Sequence, residues 1–230
     1  MPNPPSPAPD TCWLYLLRHG ATDNNRANPP RLQGRRTDPP LSEEGREQAR
    51  KTGEFLLRLP LDAVYSSPLL RARETAEAIA GPQGLSIQVV DGLVEVDVGV
   101  WEGHSWEEIE QTDPQAYRAF MTDASVNPYL GGENLETVLA RAGPAFQQLV
   151  EGNLGRLIAV VAHNVVNRTY LAHLMGMPVA RYRSMPQDNC GLNLLRCRKD
   201  RIKIVTINGL FHMDLRNSAV SSEYSRSPGL

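Results

Sequence analysis

The residues able to do chemistry are concentrated at the ends of two apolar runs. Arg18-His19 closes the run Cys12-Trp13-Leu14-Tyr15-Leu16-Leu17, and His163 closes Leu157 to Ala162. Each run is apolar throughout and about the length of a strand, the pattern of a strand buried on both faces. Gly20 follows the first His and permits a tight turn or a close backbone approach, and Thr22 and Asn25 add neutral hydrogen-bonding groups. A guanidinium, an imidazole, a hydroxyl and a carboxamide at the end of one buried strand form a pocket for an oxyanion, phosphate foremost. In open α/β sheets ligands bind at the carboxyl ends of strands, where these residues fall.

Further segments supply what such a pocket needs. Ser67-Pro68 reads as a cap followed by the first residue of a helix, which puts Arg71 at the close of the first turn and Thr75 one turn further along the same face. Glu95 and Asp97 stand two apart among apolar residues and would face one side if the segment is extended. Carboxylates in such surroundings are paired or functional. No His or Cys is spaced to complete a metal set around them, so acid–base work is expected, with no metal and no cofactor, and Asp97 has the alternative of bonding its own loop. The loop at 26–41 is rich in Pro, Gly and Arg. Loops at this end of a sheet line sites. Gln33 and Gly34 are its candidate contacts, while Arg31, Arg35 and Arg36 read as solvated charges, one of them within reach of a substrate.

These residues imply a scaffold of alternating strands and helices. Ser42 caps a helix with Glu43 and Glu44 in its first turn and Ala49, Phe55, Leu56 and Leu59 on its apolar face, ending near Pro60. Strands are expected at 62–66 and 85–91. A helical stretch runs from Ser105 to Glu151 with breaks at Asp113-Pro114 and at 127–132. The second His is followed by a helix over 165–175, and a strand pair at 192–197 and 202–207 ends the pattern.

Composition bounds the rest. At 230 residues and 41% hydrophobic the chain suits one large α/β domain, taken as 11–215 between a Pro-rich disordered tail, 1–10, and a Ser-rich disordered tail, 216–230. Net charge is -2 without a basic run, which argues against nucleic acid or an anionic membrane as partner. No stretch reaches the length of a membrane span, and the start lacks the features of a signal peptide. Three Cys (12, 190 and 197), without CxxC spacing, point to a reducing compartment, with cytoplasm as the expectation. An apolar-flanked edge strand offers a surface for a homodimer.

The chain resembles the histidine phosphatase, or phosphoglycerate-mutase-like, superfamily. The residues that carry the likeness are RHGATDNN from Arg18, LQG at 32–34, PLSEEGREQA from Pro40, SSPLLRARETA from Ser66, the stretch from Leu93 to Gly103 with its WEG, GGEN at 131–134 and VVAH ending at His163. The likeness implies a three-layer α/β/α sandwich with a mostly parallel central sheet. It implies His19 as nucleophile, Arg18, Arg71 and His163 on the phosphoryl oxygens with Asn25 and Thr22 assisting, and Glu95 as general acid. Two guanidiniums and an imidazolium would then balance a phosphate dianion without a metal ion. Asn164 stands where the family usually has Gly and joins Gln33 and Gly34 among the substrate contacts. His212 matches a position where the C-terminal segment comes near the pocket, whereas His104 reads as a loop residue and His173 as helix packing. HNVVNR and DNCGLN are similar to a subgroup of photosynthetic organisms that includes 2-carboxyarabinitol 1-phosphate phosphatases and metal-independent phosphoserine phosphatases. The expected function is a metal-independent phosphatase of a small phosphorylated metabolite acting through a phosphohistidine. The alternatives are a phosphoglycerate mutase, whose shielding insertion is absent between Glu95 and His163, and a catalytically silent phospho-ligand-binding protein.

Overall fold

A computed structural model describes residues 7–213. Most of both terminal tails therefore lies outside the described residues. Within them, Thr11 N–H closes a turn on Ala8 O at 2.8 Å. The elements run β1 Cys12–Arg18, α1 Asp23–Arg26, α2 Glu43–Leu56, β2 Ala63–Ser66, α3 Leu70–Ala80, β3 Ile87–Val89, α4 Trp106–Thr112, α5 Pro114–Thr122, α6 Leu135–Glu151, β4 Leu157–Ala162, α7 Asn164–Leu174, β5 Leu192–Cys197 and β6 Ile202–Gly209. One six-stranded sheet has the order β3-β2-β4-β1-β5-β6. The β1–β4, β2–β4 and β2–β3 pairs are parallel, and β5 is antiparallel to both of its neighbours.

Burial on both faces explains the unbroken apolar runs. Cys12, Leu14 and Leu16 of β1 and Ile158, Val160 and Ala162 of β4 pack with α6 and α7 residues such as Val138, Phe146, Val166 and Leu171. Their alternates Trp13, Tyr15, Leu17, Leu157, Ala159 and Val161 pack with Leu56 of α2 and with Ala72, Ala76 and Ile79 of α3. The chain leaves β1 toward the α2 layer and leaves β4 toward the α7 layer. The gap between these adjacent parallel strands is a topological switch point, the place where α/β sheets bind ligands.

Several boundaries differ from the sequence reading. The strand expected at 85–91 is only Ile87–Val89, and α2 stops at Leu56 in a turn closed by Leu57 N–H on Gly53 O at 2.8 Å. The helix expected from Ser67 begins at Leu70, with Leu69 at its cap position. The reason is that Ser67 is still paired to the sheet, its N–H donating to Val161 O at 3.0 Å, and its hydroxyl is committed elsewhere. Arg71 is thus the second residue of α3 rather than the close of its first turn.

Candidate active site

Sheet register brings the two His residues together. Arg18 and Ala162 are partners at the ends of β1 and β4, and His19 N–H continues the ladder to Ala162 O at 3.1 Å. The rings of His19 and His163 consequently lie 5.2 Å apart, tilted by 58°. Both are buried, as are Arg18, Arg71 and Glu95, none of which exceeds 5% exposure. Gly20 is required by packing: a Cβ there would come within 2.5 Å of Gly45 O, where the start of α2 crosses the turn.

His19 Nδ1 lies 2.7 Å from Gly20 O. A carbonyl can only accept, so Nδ1 carries the proton and Nε2 keeps the free lone pair. Burial, then Arg71 and Arg18, hold this imidazole well below its ordinary pKa, so it is neutral near pH 7. His163 is neutral for the same reasons, burial first and Arg71 next. Before substrate binds, His163 therefore offers hydrogen bonding rather than charge. Its Nε2 lies 2.7 Å from Ser67 Oγ, and its enclosed Nδ1 has no hydrogen-bond partner among the described residues.

The fixed charge comes from the guanidiniums. Arg18 Nη1 donates to Gln187 O at 2.8 Å. Arg71 donates through Nη2 to Gly34 O at 2.8 Å and through Nη1 to Thr37 O at 3.4 Å, with Asp38 Oδ1 3.8 Å away. Burial lowers its pKa, but a guanidinium keeps its proton at any ordinary pH. Its buried Nε has no acceptor among the described residues.

Glu95 enters from the loop between single turns at 91–93 and 99–101. Its Oε1 accepts from Val96 N–H at 2.9 Å and its Oε2 from Val165 N–H, in the first turn of α7, at 3.3 Å. Burial raises its pKa and outweighs the lowering effects of the amides, Arg71 and Arg141. Asp97 does not share its side. The segment is not a strand, so the two carboxylates part, and Asp97 accepts from Arg36 Nε at 2.7 Å, Arg35 Nη2 at 3.3 Å and Gly99 N–H at 2.9 Å. Burial opposes its charge, but these partners together hold its pKa below the ordinary value. Arg35 and Arg36 are therefore ion-paired rather than merely solvated, and Arg31 binds Gly103 O at 2.7 Å.

The remaining candidates divide. Thr22 and Asn25 cap α1 reciprocally, Thr22 Oγ1 donates to Gln33 Oε1 at 2.7 Å, and Gly34 N–H reaches Glu102 Oε1 at 2.7 Å. This chain leads to Arg71 through Gly34 O. Asn164 opens α7 directly after His163, with an enclosed Oδ1 that has no partner among the described residues. His212 is not brought among these groups. Its Nε2 lies 3.0 Å from Thr52 Oγ1, its ring 5.4 Å from Phe55 of α2, and burial takes its pKa down to about 4.

Other residues support the turn, among them Thr75, on the helix face it shares with Arg71. Thr75 Oγ1 accepts from Gly20 N–H at 3.0 Å, and Asn189 Nδ2 donates to His19 O at 2.9 Å and Asn25 Oδ1 at 3.3 Å. The SSP run and the DNC stretch held the signal for Ser67 and Asn189, whereas nothing marked Gln187. Among the described residues no group of three or more His, Cys, Asp or Glu is placed to hold a metal ion. The arrangement presents a neutral imidazole with an unprotonated Nε2, two buried cations and a raised-pKa carboxyl, a set suited to in-line transfer of a phosphoryl group.

Comparison with known proteins agrees with this chemistry. The model of the histidine phosphatase superfamily (branch 1) matches residues 14–209. Phosphoserine phosphatase 1 of Hydrogenobacter thermophilus is 30% identical over 200 residues, 87% of this chain and 93% of that protein. A glucosyl-3-phosphoglycerate phosphatase of Mycobacterium tuberculosis is 37% identical over 178 residues, 74% and 78% of the two chains. A phosphoserine phosphatase variant from Entamoeba histolytica, solved with phosphoserine, superposes with a TM-score of 0.78 at 27% identity, covering 88% of this chain and 99% of its own.

Proposed function

The chain belongs to the histidine phosphatase superfamily, and from that premise we propose how its residues hydrolyse a small phosphorylated metabolite. The chain is a phosphoric monoester hydrolase by membership and by the phosphatases it resembles. His19 Nε2 attacks phosphorus in line, and the bond from phosphorus to the leaving oxygen breaks as Glu95 gives that oxygen its proton. The resulting Glu95 carboxylate then takes a proton from the water that attacks phosphohistidine, releasing phosphate and restoring both groups. Arg18 and Arg71 bind the equatorial oxygens throughout, and His163 adds a hydrogen bond from its neutral imidazole.

Thr22, Asn25, Gln33 and Gly34 hold the turn around the phosphate, and Asn164 offers its unpartnered carbonyl to the alcohol half of the substrate. The observation that carries this reading is a buried, neutral His19 in the field of the Arg71 and Arg18 guanidiniums, with a buried Glu95, raised in pKa by burial, near Arg71. The substrates we favour are small phosphorylated acids such as phosphoserine or a phosphoglycerate derivative, by likeness to the relatives above. We further propose that the reaction needs no metal, that the protein works in the cytoplasm without nucleic acid, and that edge strand β6, with Val205 exposed, is a homodimer surface. No helix among the described residues is long and apolar enough to cross a membrane.

The test is phosphate release from a panel of phosphorylated metabolites in EDTA, with 3-phosphoglycerate isomerisation followed in parallel. Release from one compound at far higher kcat/KM is expected. Isomerisation without release would identify a mutase, silence on both a binding protein, and loss of activity in EDTA a metal requirement.

A further inference from the structure

Arg141 projects from α6 onto the main chain that carries Glu95. Its Nη1 donates to Gly92 O at 3.1 Å and Val94 O at 2.6 Å, and its Nη2 to Glu95 O at 3.1 Å. The same guanidinium forks onto Glu133, Nε to Oε1 at 3.0 Å and Nη2 to Oε2 at 3.1 Å. Both side chains are largely buried, at 21% and 10% exposure. Glu133 continues the tie: its Oε2 accepts from Asp97 N–H at 2.8 Å and its own N–H donates to Asp97 O at 2.8 Å. The backbone on either side of Glu95 is thus fastened to one fork-shaped group and its carboxylate partner.

The need for such a tie follows from the local structure. Residues 94–98 belong to no strand or helix, so no ladder satisfies their carbonyls or fixes their course. A planar guanidinium binds three carbonyls and a carboxylate in one geometry, which a single ammonium does not reproduce. We propose that Arg141 is a positioning residue for Glu95, clamping the 92–95 main chain to α6 so that the carboxyl stays aimed at the leaving oxygen. The inference rests on Glu95 being the general acid, and it assigns a task to a residue that touches neither substrate nor phosphate.

The experiment compares Arg141→Met, Arg141→Lys and Glu95→Gln on an alkyl phosphate and on p-nitrophenyl phosphate, with melting curves for each variant. A misaimed acid matters most for a poor leaving group. Arg141→Met should therefore lose roughly tenfold or more in kcat on the alkyl phosphate and less than about twofold on the nitrophenyl ester, with KM unchanged. Arg141→Lys should fall between it and wild type, and it carries the test if the Met variant does not fold. Glu95→Gln should show the same asymmetry, larger. Equal losses on both substrates, or no loss on either, in the Arg141 variants while Glu95→Gln is asymmetric would overturn the clamp alone. A Glu95→Gln variant without asymmetry would remove the acid assignment, and the clamp's purpose with it.

Discussion

The two halves of the site are built in different ways. The phosphate half comes from strand ends: Arg18 and His19 after β1, Ser67 after β2 and His163 after β4, all locked by register and all buried. The half proposed to face the alcohol comes from the loop at 94–105, held by ion pairs such as Arg36–Asp97, in which Arg36 is 47% exposed. Sheet ladders fix position to fractions of an ångström, whereas exposed ion pairs contribute little and tolerate change. A centre held by sheet ladders is expected to keep its geometry when the loop surface beside it is altered.

The contrast breaks most sharply at His19. His19→Ala should abolish turnover while leaving the circular dichroism spectrum and melting curve those of a folded protein; substantial residual activity would mean that another group attacks. Arg71→Met should follow, with a loss of roughly 10²–10³ in kcat, read on p-nitrophenyl phosphate so that the acid is not limiting. At the loop end, Arg36→Gln should change stability by less than about 1 kcal/mol and leave p-nitrophenyl phosphate turnover within about twofold, while shifting preference among natural phosphates. A collapse of nitrophenyl turnover there would show the two halves to be one unit.

The halves should also separate in pH. His19 and His163 are held well below the ordinary His value by burial, so between their folded values and about 6.5 the unfolded chain binds protons that the folded chain does not. Stability should therefore fall as pH drops below about 6.5, and urea unfolding should show the slope shrinking in His163→Gln. Glu95 is displaced the other way, its contribution lost as pH rises from the ordinary Glu range through its raised folded value. In kcat/KM, no inflection is expected near pH 6.5 from a free His19; an inflection there would mean the imidazole is not sequestered.

The same division governs what the sequence made legible. The sides of β1 and β4 and the meeting of His19 with His163 follow from two apolar runs ending in His, because parallel strands in register must align their ends. Ser67 was visible as a motif but misread as a cap, since nothing in the sequence shows a hydroxyl taken by an imidazole 96 positions away. Glu95 and Asp97 share a face only if their segment is extended. Two flanking turns instead send one carboxyl into the pocket and the other to Arg36. Arg141 gave no signal at all, because a charged residue inside an amphipathic helix reads as solvated surface. Long-range polar pairing is set by tertiary contact, and local pattern does not encode it.

The account stands on His19 as the group that takes the phosphoryl. The direct measurement is rapid quenching of the enzyme mixed with excess phosphoserine or p-nitrophenyl phosphate, followed by peptide mapping under alkaline conditions that preserve phosphohistidine. An acid-labile phosphoryl group is expected on the peptide containing His19, formed and consumed at rates compatible with turnover and absent from His19→Ala. A phosphoryl group on His163 or Ser67, or turnover with no phosphoenzyme at any quench time, would contradict it.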